Sequence, residues 1–283
     1  MRNDRRILLA ACAALAFAAP VQAKTAADTP IDVFLIAGQS NASGIPGSAE
    51  GSPKVPPGAV LQFYRGRISA GNDPVGNADR GSAWPSFGAT YYARTGRRVL
   101  FVPAAVPSSS LMSGDDVFGV GHWDERGKLF ARSVERADQA VAAAGPKARF
   151  AGVLWDQGET DAQGINHGLV TAAQYESELR KLIARFRVHF GADAPFYIFE
   201  TGDGAPPQGF DQVRAVQERV SRTTPGAPIV FTEAVTYPAR GLMAKDGVHY
   251  SQAGYNRMGH LGALAISDAR PRLAASVPSA DAR

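Results

Sequence analysis

Apolar residues are grouped along this chain in two alternating ways. Short runs rich in β-branched and aromatic residues, at 31–37, 99–104, 150–155, 196–201 and 229–232, are continuous enough to be buried strands. Between and after them, apolar positions recur at helical spacing. Over 171–190, Tyr175, Leu179, Leu182, Ile183, Phe186 and Phe190 share one face, and similar patterns cover 128–144, 211–223 and 251–268. This alternation predicts an α/β fold: a single doubly wound, mostly parallel five-stranded sheet with helices on both faces, of the flavodoxin-like kind. Parallel neighbours need crossovers of this length. The stretch 44–86, rich in Gly, Pro and Asn, reads as a long loop excursion with one short strand near 60–64.

The two ends fall outside the pattern. Arg2, Arg5 and Arg6 precede an apolar run over 7–19 that closes on Val21-Gln22-Ala23, so 1–23 reads as a signal peptide and the protein is expected to be secreted or periplasmic. That run is too short to span a bilayer, and no later stretch approaches roughly 20 apolar residues. No membrane association is expected after cleavage. Cys12, the one cysteine, lies in the leader; apolar residues continuing past it argue against a lipid-attachment box, and thiol chemistry is not expected in the mature chain. Residues 271–283 read as a disordered tail, which leaves 24–270 as the folded domain. The formal charge of +4 falls by two once the leader is set aside, and no basic stripe interleaved with aromatics occurs. A nucleic-acid partner is not expected.

In a doubly wound sheet, ligands bind at the carboxyl ends of the strands, so the polar residues just after each strand matter most. After the first comes Gly38-Gln39-Ser40-Asn41-Ala42-Ser43-Gly44. A serine after a glycine turn can present its hydroxyl as an acyl-transfer nucleophile, or the segment can be a tight turn with a capping Ser or Asn. It narrowly misses the G-x-S-x-G elbow. After the third comes Trp155-Asp156-Gln157-Gly158-Glu159-Thr160-Asp161, which could supply hydrogen-bond donors and a base, hold a metal, or be a solvated loop. Near the end, Asp246-Gly247-Val248-His249 puts a carboxylate three residues before an imidazole, where it can fix the ring tautomer. The plainer alternative is a surface turn whose Ser251 caps the next helix; both can hold. His122, His167, His189 and His260 sit in no such motif and read as surface or packing residues.

Taken together, GQSN at Gly38, WDQGETDA at Trp155 and DGVH at Asp246 resemble the blocks of the sialate O-acetylesterase domain group, a branch of the SGNH hydrolase superfamily related to acetylxylan esterases. The resemblance spans roughly 31–265. It implies a serine esterase that removes O-acetyl groups from a carbohydrate, with Ser40 as nucleophile, His249 as general base and Asp246 orienting it. It also implies an oxyanion hole from the Ser40 amide and Gln157, with Gln39, Asn41, Gly158, Glu159 and Asp161 in support. A third oxyanion donor usually comes from a glycine pair after the second main strand. Here Pro107 and Ser108 stand instead, which leaves Ser108 as the expected donor. Asp156, where relatives often carry an aromatic or His, and Trp123, able to stack on a sugar, are the expected substrate contacts. A serine triad needs no cofactor and no metal, and the expected partner is an acetylated glycan or sugar. The alternatives are an SGNH esterase or lipase acting on non-carbohydrate esters, and a non-catalytic glycan-binding domain that kept the fold.

Overall fold

The computed structural model describes residues 29–269. The predicted leader with Cys12 and the predicted tail lie outside the described residues. Seven strands form one sheet: β1 (Ile31–Gly38), β2 (Val60–Tyr64), β3 (Arg67–Ala70), β4 (Arg98–Pro103), β5 (Ala148–Asp156), β6 (Phe196–Phe199) and β7 (Ile229–Phe231). Their order is β3-β2-β4-β1-β5-β6-β7, and every pairing is parallel except β2 with β3.

The sheet is α/β and mostly parallel, as the pattern predicts, but has seven strands rather than five. The five predicted strands are contiguous, from β4 through β1, β5 and β6 to β7 at one edge. The chain passes to one side of β1 to make β4 and to the other to make β5, so the gap between β1 and β5 is the switch point at which ligands bind in such sheets. The two further strands extend the β4 edge. β2, expected within a loop, pairs with β4 through Val60 opposite Val99. Arg65 and Gly66 then turn the chain with φ of 51° and 75°, a left-handed pair that matches the twist of a hairpin, and β3 runs back along β2.

Every residue of β1 is buried, which requires cover on both faces. Val33, Leu35 and Ala37 pack with α3 (Leu129–Ala144), α5 (Ala172–Phe190) and α6 (Pro207–Thr223), through side chains such as Val134, Leu179, Ile183 and Val213. Phe34 and Ile36 pack on the other face with α2 (Trp84–Thr95) and α7 (Gln252–Asp268), through Trp84, Phe87, Tyr91, Tyr255 and Met258. Two short helices, α1 (Ser40–Ser43) and α4 (Glu159–Asn166), follow β1 and β5 directly. The α5 helix opens on a capping box in which Thr171 Oγ1 accepts from the Gln174 amide at 3.3 Å while Gln174 Oε1 accepts from the Thr171 amide at 2.8 Å.

At the opposite end from the switch point, Asp32 is buried at the start of β1. Burial pushes its carboxyl up, but bonds from Arg97, Tyr91 and Arg149 outweigh that and hold it below the ordinary carboxylate value. Among the described residues, no helix is long and apolar enough to cross a membrane.

Candidate active site

Two glycines let the chain ends of β1 and β5 pack backbone against backbone. Gly38 has φ of 129°, and a Cβ there would lie 2.0 Å from the Asp156 carbonyl oxygen, so only glycine fits. The next amide, Gln39 N, donates to that same oxygen at 3.0 Å. Ser40 therefore opens the single turn of α1 at the switch point, only 6 % exposed. Its hydroxyl and amide make no hydrogen bond to another described residue, as the first amides of a helix generally do not. The turn is anchored from three sides. Trp84 Nε1 donates to the Ala42 carbonyl at 2.7 Å, and Gln39 Oε1 accepts from the Gly158 and Thr160 amides, both at 3.3 Å. Asn41 donates to Glu159 Oε1 at 2.6 Å and, through Oδ1, accepts from the Tyr250 amide at 3.3 Å, so it ties the β1 turn to the β5 turn and to the loop that follows His249.

That loop is closed by the Ala244 amide donating to the His249 carbonyl at 2.8 Å. Within it, Asp246 Oδ1 accepts from the Val248 and His249 amides at 3.0 and 2.9 Å, which leaves Oδ2 facing His249 Nδ1 at 2.8 Å. Partial burial pushes the Asp246 carboxyl up, but these bonds from His249 and Val248 outweigh it, and the group stays below the ordinary carboxylate value as an ionised acceptor. Ser251 Oγ accepts from the Gly254 amide at 3.3 Å and caps α7, so both readings of this segment hold.

Ser40, Ser108, Asp246 and His249 line one cleft of about 580 Å³, together with Gln39 and Glu159. The carboxylate–imidazole bond is formed; no hydrogen bond joins the imidazole to Ser40 Oγ among the described residues. Ser108 adopts φ of 61°. It takes the left-handed conformation that glycine adopts freely, at a cost of roughly 1–2 kcal/mol for a residue with a Cβ. Its carbonyl accepts from Thr160 Oγ1 at 3.3 Å, while its amide has no partner among the described residues.

Three expected site residues lie elsewhere. Gln157 is fully buried and does not line the cleft: its amide nitrogen donates to Asp161 and, at 3.3 Å, to the Ser109 carbonyl. It holds the turn next to Ser108 instead of pointing to substrate. Trp123 has no exposed surface, because its ring packs edge-on against Trp155 at 5.3 Å and its Nε1 donates to Ser109 Oγ at 3.0 Å. It is a core residue and cannot stack on a sugar from there. Asp156 is buried with both carboxylate oxygens lacking a hydrogen-bond partner among the described residues; burial, reinforced by Glu159, pushes its pKa well up, and it does not line the cleft. Gly158, with φ of 149°, fits against Thr201, where a Cβ would lie 2.3 Å from the Thr201 hydroxyl oxygen. Asp161 accepts from the Leu111 amide at 2.9 Å and lies beside Asp115; burial and that neighbour push it well up. Burial likewise raises Glu159, against the pull of the Asn41 bond. No group of three or more His, Cys, Asp or Glu side chains among the described residues could hold a metal ion.

A family model for carbohydrate esterases, described as sialic acid-specific acetylesterase and abbreviated SASA, matches residues 30–268. The chain belongs to the SASA family. It is therefore a carbohydrate acetylesterase, a carboxylic ester hydrolase. No curated protein matches this SASA chain by sequence. Solved structures share its fold. An Arabidopsis thaliana protein superposes with a TM-score of 0.66 at 20% identity, over 85% of this chain and 99% of its own. NanS does so at 0.58 and 15%, over 85% and 98%. A carbohydrate acetylesterase from Xanthomonas citri gives 0.54 and 16%, over 84% of this chain and 57% of its own.

The SASA cleft also has walls that strand-end reasoning missed. Asp115, Val117 and Phe118 come from the loop after β4, His167 and Leu169 from beyond α4, and Asp203 from the loop after β6. The last could have been found, since Thr201-Gly202-Asp203-Gly204 is a polar loop at a predicted strand end. His167, read as a surface or packing residue, is on the rim, whereas His122 and His189 pair with Asp124 and Asp138 at 2.8 and 2.9 Å.

Proposed function

We propose that this chain removes O-acetyl groups from a carbohydrate through an acetyl-enzyme on Ser40. The observation that carries the reading is the 2.8 Å bond that Asp246 Oδ2 accepts from His249 Nδ1 in a cleft shared with Ser40. A carboxylate on Nδ1 keeps the proton on that nitrogen and leaves Nε2 basic. His249 then takes the Ser40 hydroxyl proton as Oγ attacks the ester carbonyl. The C–O bond to the sugar breaks, the sugar oxygen leaves with the proton from His249, and water, deprotonated by the same imidazole, frees acetate and restores Ser40. The amides of Ser40 and Ser108, both without protein partners, are the oxyanion donors in this reading. The leader 1–23 supports export to a secreted or periplasmic location, which N-terminal sequencing of the mature protein tests.

Ser40→Ala is expected to lower kcat on an aryl acetate by on the order of 10⁴ or more, with an unchanged circular dichroism spectrum. A folded variant that kept most of its turnover would remove Ser40 as nucleophile. A second reading, hydrolysis of esters with longer acyl chains, is favoured by the exposed Val117, Phe118, Leu169 and Val248 around the cleft. A rate that rises from acetate to butyrate and hexanoate esters would select it.

A further inference from the structure

The side chains that line the cleft share a charge character. Four of them are carboxylates, Asp115, Glu159, Asp203 and Asp246, and none of the described lining residues is Lys or Arg. Asp246 is committed to His249 and Glu159 to Asn41. Asp203 is left facing the substrate space. Asp115 is 1% exposed and packed beside Asp161, whereas the Asp203 side chain is 38% exposed and its Oδ1 accepts from the neighbouring Gly204 amide, with Arg214 at 3.9 Å. Arg214 itself is spent on the Gly202 carbonyl and Asp211. The one other charged group able to become cationic on the walls, besides His249, is His167 on the rim.

Ionised carboxylates only accept hydrogen bonds, so they suit hydroxyl donors and repel a substrate carboxylate. The lining also has an exposed apolar part. Phe118 is 65% exposed and Val248 54%, and Val117 and Leu169 beside them are exposed too. Exposed apolar side chains gathered at the mouth of a cleft mark a contact surface, and the C–H face of a pyranose fits an aromatic ring of this kind.

We infer that the substrate of this site is an uncharged acetylated sugar, its hydroxyls facing Asp203 and its apolar ring face on Phe118, and that the cleft discriminates against sugars bearing a carboxylate such as sialic acid. The inference rests on the Ser40 acetyl-enzyme reading. It runs against the sialic acid specificity in the family's description, which an arginine or lysine in the cleft would have served.

The test compares one sugar with its charge present and masked. Wild-type enzyme is assayed on O-acetylated sialic acid as the free acid and as its methyl ester, on an acetylated methyl xyloside, and on an aryl acetate. The expected result is kcat/KM about tenfold or more higher for the methyl ester than for the free acid at low salt, a gap that narrows as salt screens the carboxylates. A free acid hydrolysed as well as its methyl ester would overturn the inference while leaving the acetyl-enzyme intact. Failure on every ester, or hydrolysis that survives in Ser40→Ala, would overturn the mechanism beneath it. Two variants bear on it separately. Asp203→Lys should raise the free acid relative to the methyl ester, and Phe118→Ala should raise KM for the xyloside several-fold with kcat kept; no change in either ratio would overturn the assigned contacts.

Discussion

Asp246 and Glu159 are both carboxylates near His249, and their hydrogen bonds separate their roles. Asp246 offers one oxygen to two amides of its own loop and the other to Nδ1 at 2.8 Å, so its orientation is set before the imidazole binds. Glu159 Oε1 is held by Asn41 at 2.6 Å, and Oε2 has no protein partner. Asp246→Asn presents an amide that can stabilise the wrong tautomer, and kcat should fall by up to about 10⁴, the size known for the equivalent change in a serine protease. Glu159→Gln can still accept from Asn41 and should cost roughly tenfold or less. Measuring kcat for both decides it: a greater loss at Glu159 would make that residue the orienting group. The DGVH segment could be read from sequence because donor and acceptor are three residues apart. The burial of Trp123 is not legible in the sequence, because it depends on Trp155 and Ser109, which are distant in sequence from it or hidden in a polar run.

Among the elements, legibility followed apolar continuity. The five strands from β4 to β7 announce themselves as apolar runs, whereas β3 reads Arg-Ile-Ser-Ala and is stabilised by a turn and an edge, neither of which leaves a hydrophobic trace. The α2 helix carries its signal in Trp84, Phe87, Gly88, Tyr91 and Thr95, all buried at helical spacing, but Pro85 and Gly88 within it and the Gly-rich approach make the segment resemble loop. It packs on α7 through glycine. A Cβ at Gly259 would lie 2.0 Å from the Ala83 carbonyl oxygen, a backbone atom that cannot swing aside. Helix propensity alone favours alanine by about 1 kcal/mol, and forced overpacking of a core costs roughly 1–3 kcal/mol. Because the clash is with backbone, the second term should win. Gly259→Ala is expected to lower the urea midpoint, and a raised midpoint would mean that α2 and α7 are not in such close contact.

Across the whole molecule, perturbed carboxyls sort by the groups that reach them. Glu233 and Asp124 are held down to about 2, burial being outweighed by the arginines at Glu233 and by amide bonds and His122 at Asp124. At Asp115 and Glu200 the balance reverses. Burial drives Asp115 up to about 6, and burial with Glu218 nearby, against the pull of Arg214, drives Glu200 up to about 7 from an ordinary 4.5. A carboxyl whose folded-state value is raised binds its proton more tightly in the native state. Its stabilising effect is complete below the unfolded value and is lost as pH rises through the folded one. The fold should therefore weaken from about pH 4.5 towards pH 7 at the end of the sheet that holds the cleft, Glu200 accounting for at most about 3 kcal/mol of the loss. Glu200 is 7% exposed and does not line the cleft, so it can be changed without touching the chemistry. Glu200→Gln should leave the denaturation midpoint nearly unchanged at pH 4.5 and raise it at pH 8, flattening the pH dependence. If the variant is equally destabilised at both pH values, Glu200 is ionised in the folded protein throughout, and the strain on this end of the sheet lies in other groups.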